Sequence, residues 1–309
     1  MNRYKSPLRY PGGKQKLAPF VSEVMRENGL LGGHYAEPYA GGAGVAVELL
    51  LRGDAIAIHL NDSCTAVHAF WKSILRDTDE FCRRISRASL TVTEWRRQKA
   101  ILDNRSEHDT LDVGFSLFYL NRVNRSGIVS GGLIGGLAQD GEWRMDARFP
   151  RAELIRRVEN IARKRRAIHL RNWDAERFVL DYLPRLPKSS LVYCDPPYFE
   201  KAERLYLNHY FPEDHRRIAK IIQKIKLPWM VSYDSAPEIL ECYSRRRAFL
   251  YGLQYNASKA YVGTEVFFFS DRLKLAARSA VASIDRVLFS QRSSIVLASK
   301  IAERLAATL

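Results

Sequence analysis

The stretch HYAEPYAGGAGVAVELLLRGDAIAIHLND, residues 34–62, decides how this chain is read. An apolar run stops at Pro38, a small-residue turn follows (AGGAG, 40–44), and VAVELLLRG then has helical spacing. A second apolar run, AIAIHL (55–60), ends in Asn61 and Asp62. Strand, glycine turn, helix and strand in that order predict a βαβ start, in which the helix carries the chain back so that the strands run parallel. Outward from it, TAVHAFWKSIL (65–75) is strongly helical, and apolar runs at 167–170, 191–194 and 229–232 each end in polar residues with helix-like sequence between them. Such alternation predicts a mostly parallel α/β sheet. Two aromatic, β-rich runs, 248–255 and 265–270, with a Gly-containing polar loop between them, predict an antiparallel pair at the sheet edge.

Between residues 73 and 166 no strand of that sheet can be placed. The reading there is helices around a glycine-rich loop, 127–141, which predicts an inserted, mainly helical domain. The chain then divides into 1–72 with 167–275 as the main α/β domain, 73–166 as the insertion, and a tail, 276–309. In the tail Val281, Ile284, Leu288, Ile295, Ile301 and Leu305 recur at roughly helical spacing, predicting one or two amphipathic helices packed on their own domain.

Composition bounds the function. Hydrophobic residues make up 46% of the 309, enough to bury a full core and to exclude disordered or collagen-like classes. Lys and Arg number 49 against 34 Asp and Glu, a net charge of +15 that suggests a polyanionic partner such as nucleic acid. The runs RKRR (163–166) and RRR (245–247) read first as solvated helix faces or turns and second as phosphate contacts. Four cysteines with no paired short spacing, and seven histidines with no clustered spacing, lead us to expect neither a disulfide framework nor a metal. No apolar run reaches the roughly 18 residues of a membrane span, and none marks a signal peptide, so the expected location is the reducing cytoplasm. A monomer or weak dimer is expected.

The sharpest chemical signal is Asp195-Pro196-Pro197-Tyr198, directly after the apolar run LVYC. Two prolines cannot donate ladder hydrogen bonds, so they end a strand and stiffen the loop at its carboxyl end, where open α/β sheets place ligands. An exocyclic amine on an aromatic base is a poor nucleophile because its lone pair is delocalised into the ring. A carboxylate at Asp195 and the carbonyl of Pro196 would each accept one of its N–H bonds, favouring a tetrahedral nitrogen, while Tyr198 would stack on the base. The alternative is a plain strand-ending turn with an Asp cap. The AGGAG turn lets backbone approach a ligand closely and leaves helix amides to face it, and Asp62 lies 21 residues beyond Gly41, the spacing at which an acid meets ribose hydroxyls. A tight turn explains the glycines nearly as well, but Glu37 and Asp62 favour a nucleoside. Tyr10-Pro11-Gly12-Gly13-Lys14 pairs a ring and a cation with a flexible turn. Asp174 follows the run AIHLRNW as a carboxylate for an adenine amino group, or as a helix N-cap. Cys194 reads as a buried small residue rather than a nucleophile.

Taken in order, YPGGK, EPYAGGAG, ND, NWD, DPPY, SYD and the final NAS…EVFFFS resemble the Dam-like, D12 class of adenine-N6 DNA methyltransferases from residue 6 to about 272. The resemblance implies a class I, Rossmann-like methyltransferase fold binding S-adenosylmethionine, with S-adenosylhomocysteine as product and no metal. It implies cofactor contacts at Tyr10, Lys14, Glu37, Gly41 and Gly42, the ribose at Asp62, the cofactor adenine at Asp174, and catalysis at Asp195, Pro196, Pro197 and Tyr198. Asp195 also borders the cofactor.

The insertion, with YLNRVNRSGIVSGGLIGG and then GEWRMDARF, is more similar to phage- and prophage-type members than to those that methylate GATC. Arg122, Asn124, Arg125 and Ser126 are its candidates for base or phosphate contact, with ion-pair or loop-capping roles as the alternative. The expected activity is methyl transfer to N6 of an adenine flipped out of double-stranded DNA. Its rivals are adenine-N6 methylation of ribosomal RNA, cytosine-N4 methylation of DNA, and a catalytically silent DNA-binding protein of the same fold.

Overall fold

The computed structural model describes residues 5–9, 14–199, 210–256, 260–274 and 287–289, with backbone only for 249–264 and 287–289. In chain order its principal elements are α1 (Ala18–Glu27), β1 (Gly33–Glu37), α2 (Gly44–Arg52), β2 (Ala55–Asn61), α3 (Thr65–Arg76), α4 (Thr78–Arg87), α5 (Val92–Asp103), α6 (Thr110–Val123), α7 (Arg151–Ala162), β3 (Ile168–Arg171) and β4 (Ser190–Cys194). They continue with α8 (Pro212–Ile222), β5 (Trp229–Asp234), α9 (Pro237–Cys242), β6 (Arg247–Asn256), β7 (Ala260–Phe269) and β8 (Val287–Phe289). These form two compact units, Met1–Ala18 with Ala40–Trp173, and Pro19–Tyr39 with Asp174–Leu309.

In the first unit β2 pairs in parallel with β3, from Ile58 opposite Ile168 to Asn61 opposite Arg171. The helix α2 ends where Gly53, at φ 82°, turns its N–H back to the Leu49 and Leu50 carbonyls, a conformation that favours glycine. On α3 the residues Ala66, Val67, Ala69, Phe70, Trp71 and Ile74 are buried, a stripe at helical spacing. Phe70 meets Phe81 of α4 edge-on at 5.8 Å, and Phe81 meets Phe118 of α6 at 5.4 Å, geometries aromatic quadrupoles prefer. A Cβ on Gly114 of α6 would lie 2.7 Å from the Ala69 carbonyl, so only glycine allows this close crossing of α3 and α6. Thr91 and Asp109 cap α5 and α6 by accepting the N–H groups of Glu94 and Asp112. Among the described residues, 73–166 contain helices, short turns and one isolated bridge, Asn124 to Leu133, but no strand of a sheet.

In the second unit β1 pairs in parallel with β4 and β4 with β5. Next to β5 lies β7, antiparallel, then β6, antiparallel again, so the edge pair expected from the aromatic runs is present. β7 begins at Ala260, earlier than expected. Gly263 sits within the strand opposite Leu253, so the polar stretch read as loop is largely ladder. The tail differs too: Val287–Phe289, Leu288 included, form a strand on β6 where a helix was expected, because the free edge of β6 offers ladder partners that helical spacing does not reveal. The other tail positions lie outside the described residues. The core beneath this sheet is aromatic, with Trp229, Tyr233, Tyr243 and Phe178 fully buried and Tyr243 stacked on Phe268 at 4.5 Å. No helix among the described residues is long and apolar enough to cross a membrane.

Candidate active site

In the first unit the glycine turn is held from three sides. Asp62, at the carboxyl end of β2, accepts the Gly41 N–H at 2.8 Å on one oxygen and the Cys64 N–H at 2.9 Å on the other. The indole N–H of Trp71 donates to the Gly41 carbonyl at 2.9 Å, and Ser6 Oγ donates to the Gly42 carbonyl at 2.6 Å. Gly41 takes φ 44°, and a Cβ on Gly44 would meet Gln15 Cβ at 2.9 Å, so the N-terminal segment packs directly on the turn. Lys14 opens that segment's 3₁₀ turn and is buried. Tyr10 lies outside the described residues. Ala43, the residue before α2, is left-handed at φ 43°.

This arrangement fits a nucleoside. A carboxylate offers about four lone pairs, and backbone amides take two of them at Asp62, which leaves acceptors for a ribose diol. Burial pushes the Asp62 carboxyl up to about 6 against the lowering effect of its Cys64 and Gly41 amide bonds. Asn61 ties the ends of β2 and β3 together, its amide exchanging two 3.0 Å bonds with the Trp173 backbone, and Asn172 donates to the Asp62 carbonyl at 2.7 Å. The clamps on the turn, Trp71 and Ser6, carried no sequence signal of their own, whereas Asn61 belongs to the ND motif read from sequence.

The second unit holds the DPPY motif. Glu37 is buried at the end of β1. Asp174 caps the turn at Ala175–Arg177 by accepting the Glu176 N–H at 2.8 Å, the N-cap geometry weighed from sequence. Cys194 is fully buried, and its thiol is pushed well above its usual range by that burial and by Asp195, as suits a structural cysteine. Cys194 pairs with Val231 in the β4–β5 ladder, so the next residues, Asp195 and Ser232, come side by side. Ser232 Oγ donates to Asp195 Oδ1 at 2.5 Å, and the Tyr193 hydroxyl lies 2.8 Å from Ser232 Oγ.

Tyr198 is buried at 5% exposure, and its hydroxyl donates to Glu265 at 2.6 Å, so the ring expected to stack on a base is tied inward by its oxygen. Asp234 accepts the Phe199 N–H at 3.0 Å and holds the chain leaving the motif. Beneath it, Tyr39 and Tyr210 share a 3.0 Å hydroxyl contact, and His215, buried, shares Nδ1 with Tyr233 at 3.1 Å. Burial pushes the His215 imidazole down to about 4. The runs SYD and EVFFFS signalled Ser232, Asp234 and Glu265, though not what those residues touch.

Of the four residues expected at DNA, two face inward. Arg122 is buried and donates through Nε to the Arg148 carbonyl at 2.6 Å, with burial and then Arg9, Arg157 and Arg148 pushing its guanidinium down to about 9. Asn124, fully buried, shares its amide N–H groups among the Ile128, Val129 and Gly131 carbonyls and accepts the Trp95 indole N–H at 2.8 Å. Both hold the loop together, whereas Arg125 and Ser126 are exposed, Ser126 at φ 57°. Among the described residues no group of three His, Cys, Asp or Glu could hold a metal ion.

Residues 10–256 match the family described as D12 class N6 adenine-specific DNA methyltransferase. No curated protein matches the chain. Because the match covers well over half of the sequence and includes both the glycine turn and DPPY, the protein belongs to the D12 class of N6 adenine-specific DNA methyltransferases, with the class I α/β fold.

Proposed function

We propose that Asp195, Pro196, Pro197 and Tyr198 carry this enzyme's methyl transfer to adenine N6 in duplex DNA, and that Tyr10, Lys14, Glu37, Gly41, Gly42, Asp62 and Asp174 hold S-adenosylmethionine. The observation that carries the reading is the hydroxyl chain of Tyr193 and Ser232 that fixes the Asp195 carboxylate. Asp195 accepts one N–H of the acceptor amine and the Pro196 carbonyl accepts another, which draws the nitrogen lone pair out of the base ring and aims it. Asp195 also stabilises positive charge growing on that nitrogen; the proton it sheds passes to solvent. The bound cofactor supplies a methyl group on a sulfonium centre. Asp62 would accept the ribose hydroxyls with the lone pairs that its two amide bonds leave. Tyr198 shapes the motif loop through Glu265 and would give its ring to the flipped base. Residues 73–166 supply target recognition, with Arg125 and Ser126 as its exposed contacts.

Labelled methyl transfer to duplex DNA, measured beside calorimetric cofactor binding, tests this assignment. Asp195→Ala abolishes transfer and leaves cofactor affinity within a few-fold. Activity above a tenth of wild type removes Asp195 from the reaction, and faster methylation of ribosomal RNA than of DNA makes RNA the substrate.

A further inference from the structure

A groove of about 540 Å³ runs between α3 and β3, wholly within the first unit and apart from the glycine turn. Five permanent cations line it, Lys72, Arg76, Arg165, Arg166 and Arg171, and no carboxylate does. Leu75, Ile168 and Leu170 give it an apolar floor. Elsewhere in the same unit the helices neutralise their own arginines, Arg83 and Arg84 on Glu80, Arg97 on Glu94, Arg156 and Arg157 on Glu153. Among the described residues, Lys72, Arg76, Arg165 and Arg166 form no ion pair. Gathering like charges in one groove opposes folding, and Lys72 and Arg76 add to the burial that lowers the His68 imidazole.

A groove lined by cations and by no carboxylate is complementary to a polyanion. We infer that it takes the phosphodiester backbone of the DNA substrate at a contact separate from the residues proposed for catalysis and for base reading. Arg166 lies in the 3₁₀ turn before β3 and Arg171 ends that strand, whose three steps from Ile168 span about 10 Å, the axial advance of about three base pairs. Arginine forks and a lysine over an apolar floor suit phosphate oxygens at the groove rim and sugar faces below. Such a contact carries no sequence information. It supplies affinity and register, and its cations account for part of the +15 net charge.

The test is the salt dependence of binding to a 30-base-pair duplex, read by fluorescence anisotropy. Every phosphate that the protein no longer neutralises makes the slope of log affinity against log salt shallower by about 0.9. Lys72→Gln/Arg76→Gln/Arg165→Gln/Arg166→Gln therefore gives a slope shallower by about 2 to 4, with the methylation rate at saturating DNA retained. Arg83→Gln/Arg156→Gln, which removes two exposed charges on α4 and α7, leaves the slope within about 0.5 of wild type. If the fourfold variant fails to fold, Arg165→Gln/Arg166→Gln, at exposed positions, gives a decrease of about 1 to 2. An unchanged slope in a folded groove variant overturns the inference, as does an equal drop in the α4/α7 control. Loss of inorganic pyrophosphate binding without a change in slope assigns the groove to small anions and overturns it too.

Discussion

Ser232 Oγ donates to Asp195 Oδ1 across neighbouring parallel strands at 2.5 Å, a charge-assisted bond between two residues that the β4–β5 register sets side by side. A serine hydroxyl has one hydrogen. Since Asp195 receives it, the contact between Tyr193 and Ser232 must run from the tyrosine, and the donation passes Tyr193 to Ser232 to Asp195. Tyr193 and Ser232 are buried, so the chain is shielded from water and the carboxylate is held before any substrate arrives.

Ser232→Ala leaves Asp195 short of a donor and Tyr193 short of an acceptor. A buried hydrogen bond to a charged group is worth about 1.5 to 3 kcal/mol, so single-turnover methylation should slow by about 10- to 150-fold. Cofactor and DNA affinities should stay within a few-fold, because neither ligand needs this serine. A full-speed Ser232→Ala enzyme would show that the carboxylate is positioned by other groups.

Asp62 titrates where cofactor binding can report it. Its carboxyl, raised by burial to about 6, is ionised at pH 8 and protonated at pH 5. Protonation removes an acceptor from the ribose, so cofactor affinity should fall as pH drops through 6, by up to about tenfold per unit. Asp62→Asn should weaken binding by about 1 to 3 kcal/mol at pH 8 and flatten this dependence. A pH-independent affinity in the wild type between 5 and 8 would remove Asp62 from the cofactor site.

His215 is shifted the other way, downward, and its titration reads out in stability. The native imidazole titrates at about 4, the unfolded one near 6.5, so between these values the unfolded chain binds a proton that the folded chain refuses. Stability is present above pH 6.5 and is lost as pH falls toward 4. Thermal melts should show Tm declining over that window, and His215→Gln should decline less. An equal decline in both proteins would assign the acid sensitivity to other groups.

The regular elements were legible: helices such as α3 repeat at 3.6 residues, and the parallel strands, buried on both faces, stand out as short continuous apolar runs. DPPY was legible because two prolines after an apolar strand have few other uses. Side-chain direction in loops was not. Nothing in the composition of YLNRVNRSGIV distinguishes Arg122 and Asn124, turned inward, from Arg125, exposed, because α6 is buried on every side from Val113 to Val123 and so shows no amphipathic period, and the backbone beyond it is irregular. Ser232 and Glu265 were visible as parts of SYD and EVFFFS. Their partners, Asp195 and Tyr198, depend on strand register and on a spacing of 67 residues between Tyr198 and Glu265, which no local pattern encodes. For Val287–Phe289, the roughly helical spacing of the tail's apolar residues pointed to a helix while the open edge of β6 selected a strand.

Asn124 and Arg125 are neighbours with different work, and substituting each in turn separates scaffold from recognition. Asn124 is the hub of the glycine-rich loop, with three carbonyls and the Trp95 indole depending on it. Asn124→Ala strands buried polar groups, which costs about 1 to 3 kcal/mol for each one left unpaired, so Tm should fall by several degrees. Arg125 contributes its backbone N–H to the Gly132 carbonyl at 2.9 Å, a bond that alanine keeps. Arg125→Ala should therefore leave Tm within a degree or two and act on DNA alone. If the guanidinium pairs with a guanine edge, discrimination relaxes at one position of the site at a cost of about 1 to 3 kcal/mol. If it meets phosphate, all sequences weaken alike and the salt dependence becomes shallower. Modified-base sequencing of DNA from cells expressing each variant distinguishes these two outcomes, because only the first alters which adenines are methylated. An Arg125→Ala protein with unchanged site choice and unchanged affinity would move the recognition surface elsewhere within residues 73–166.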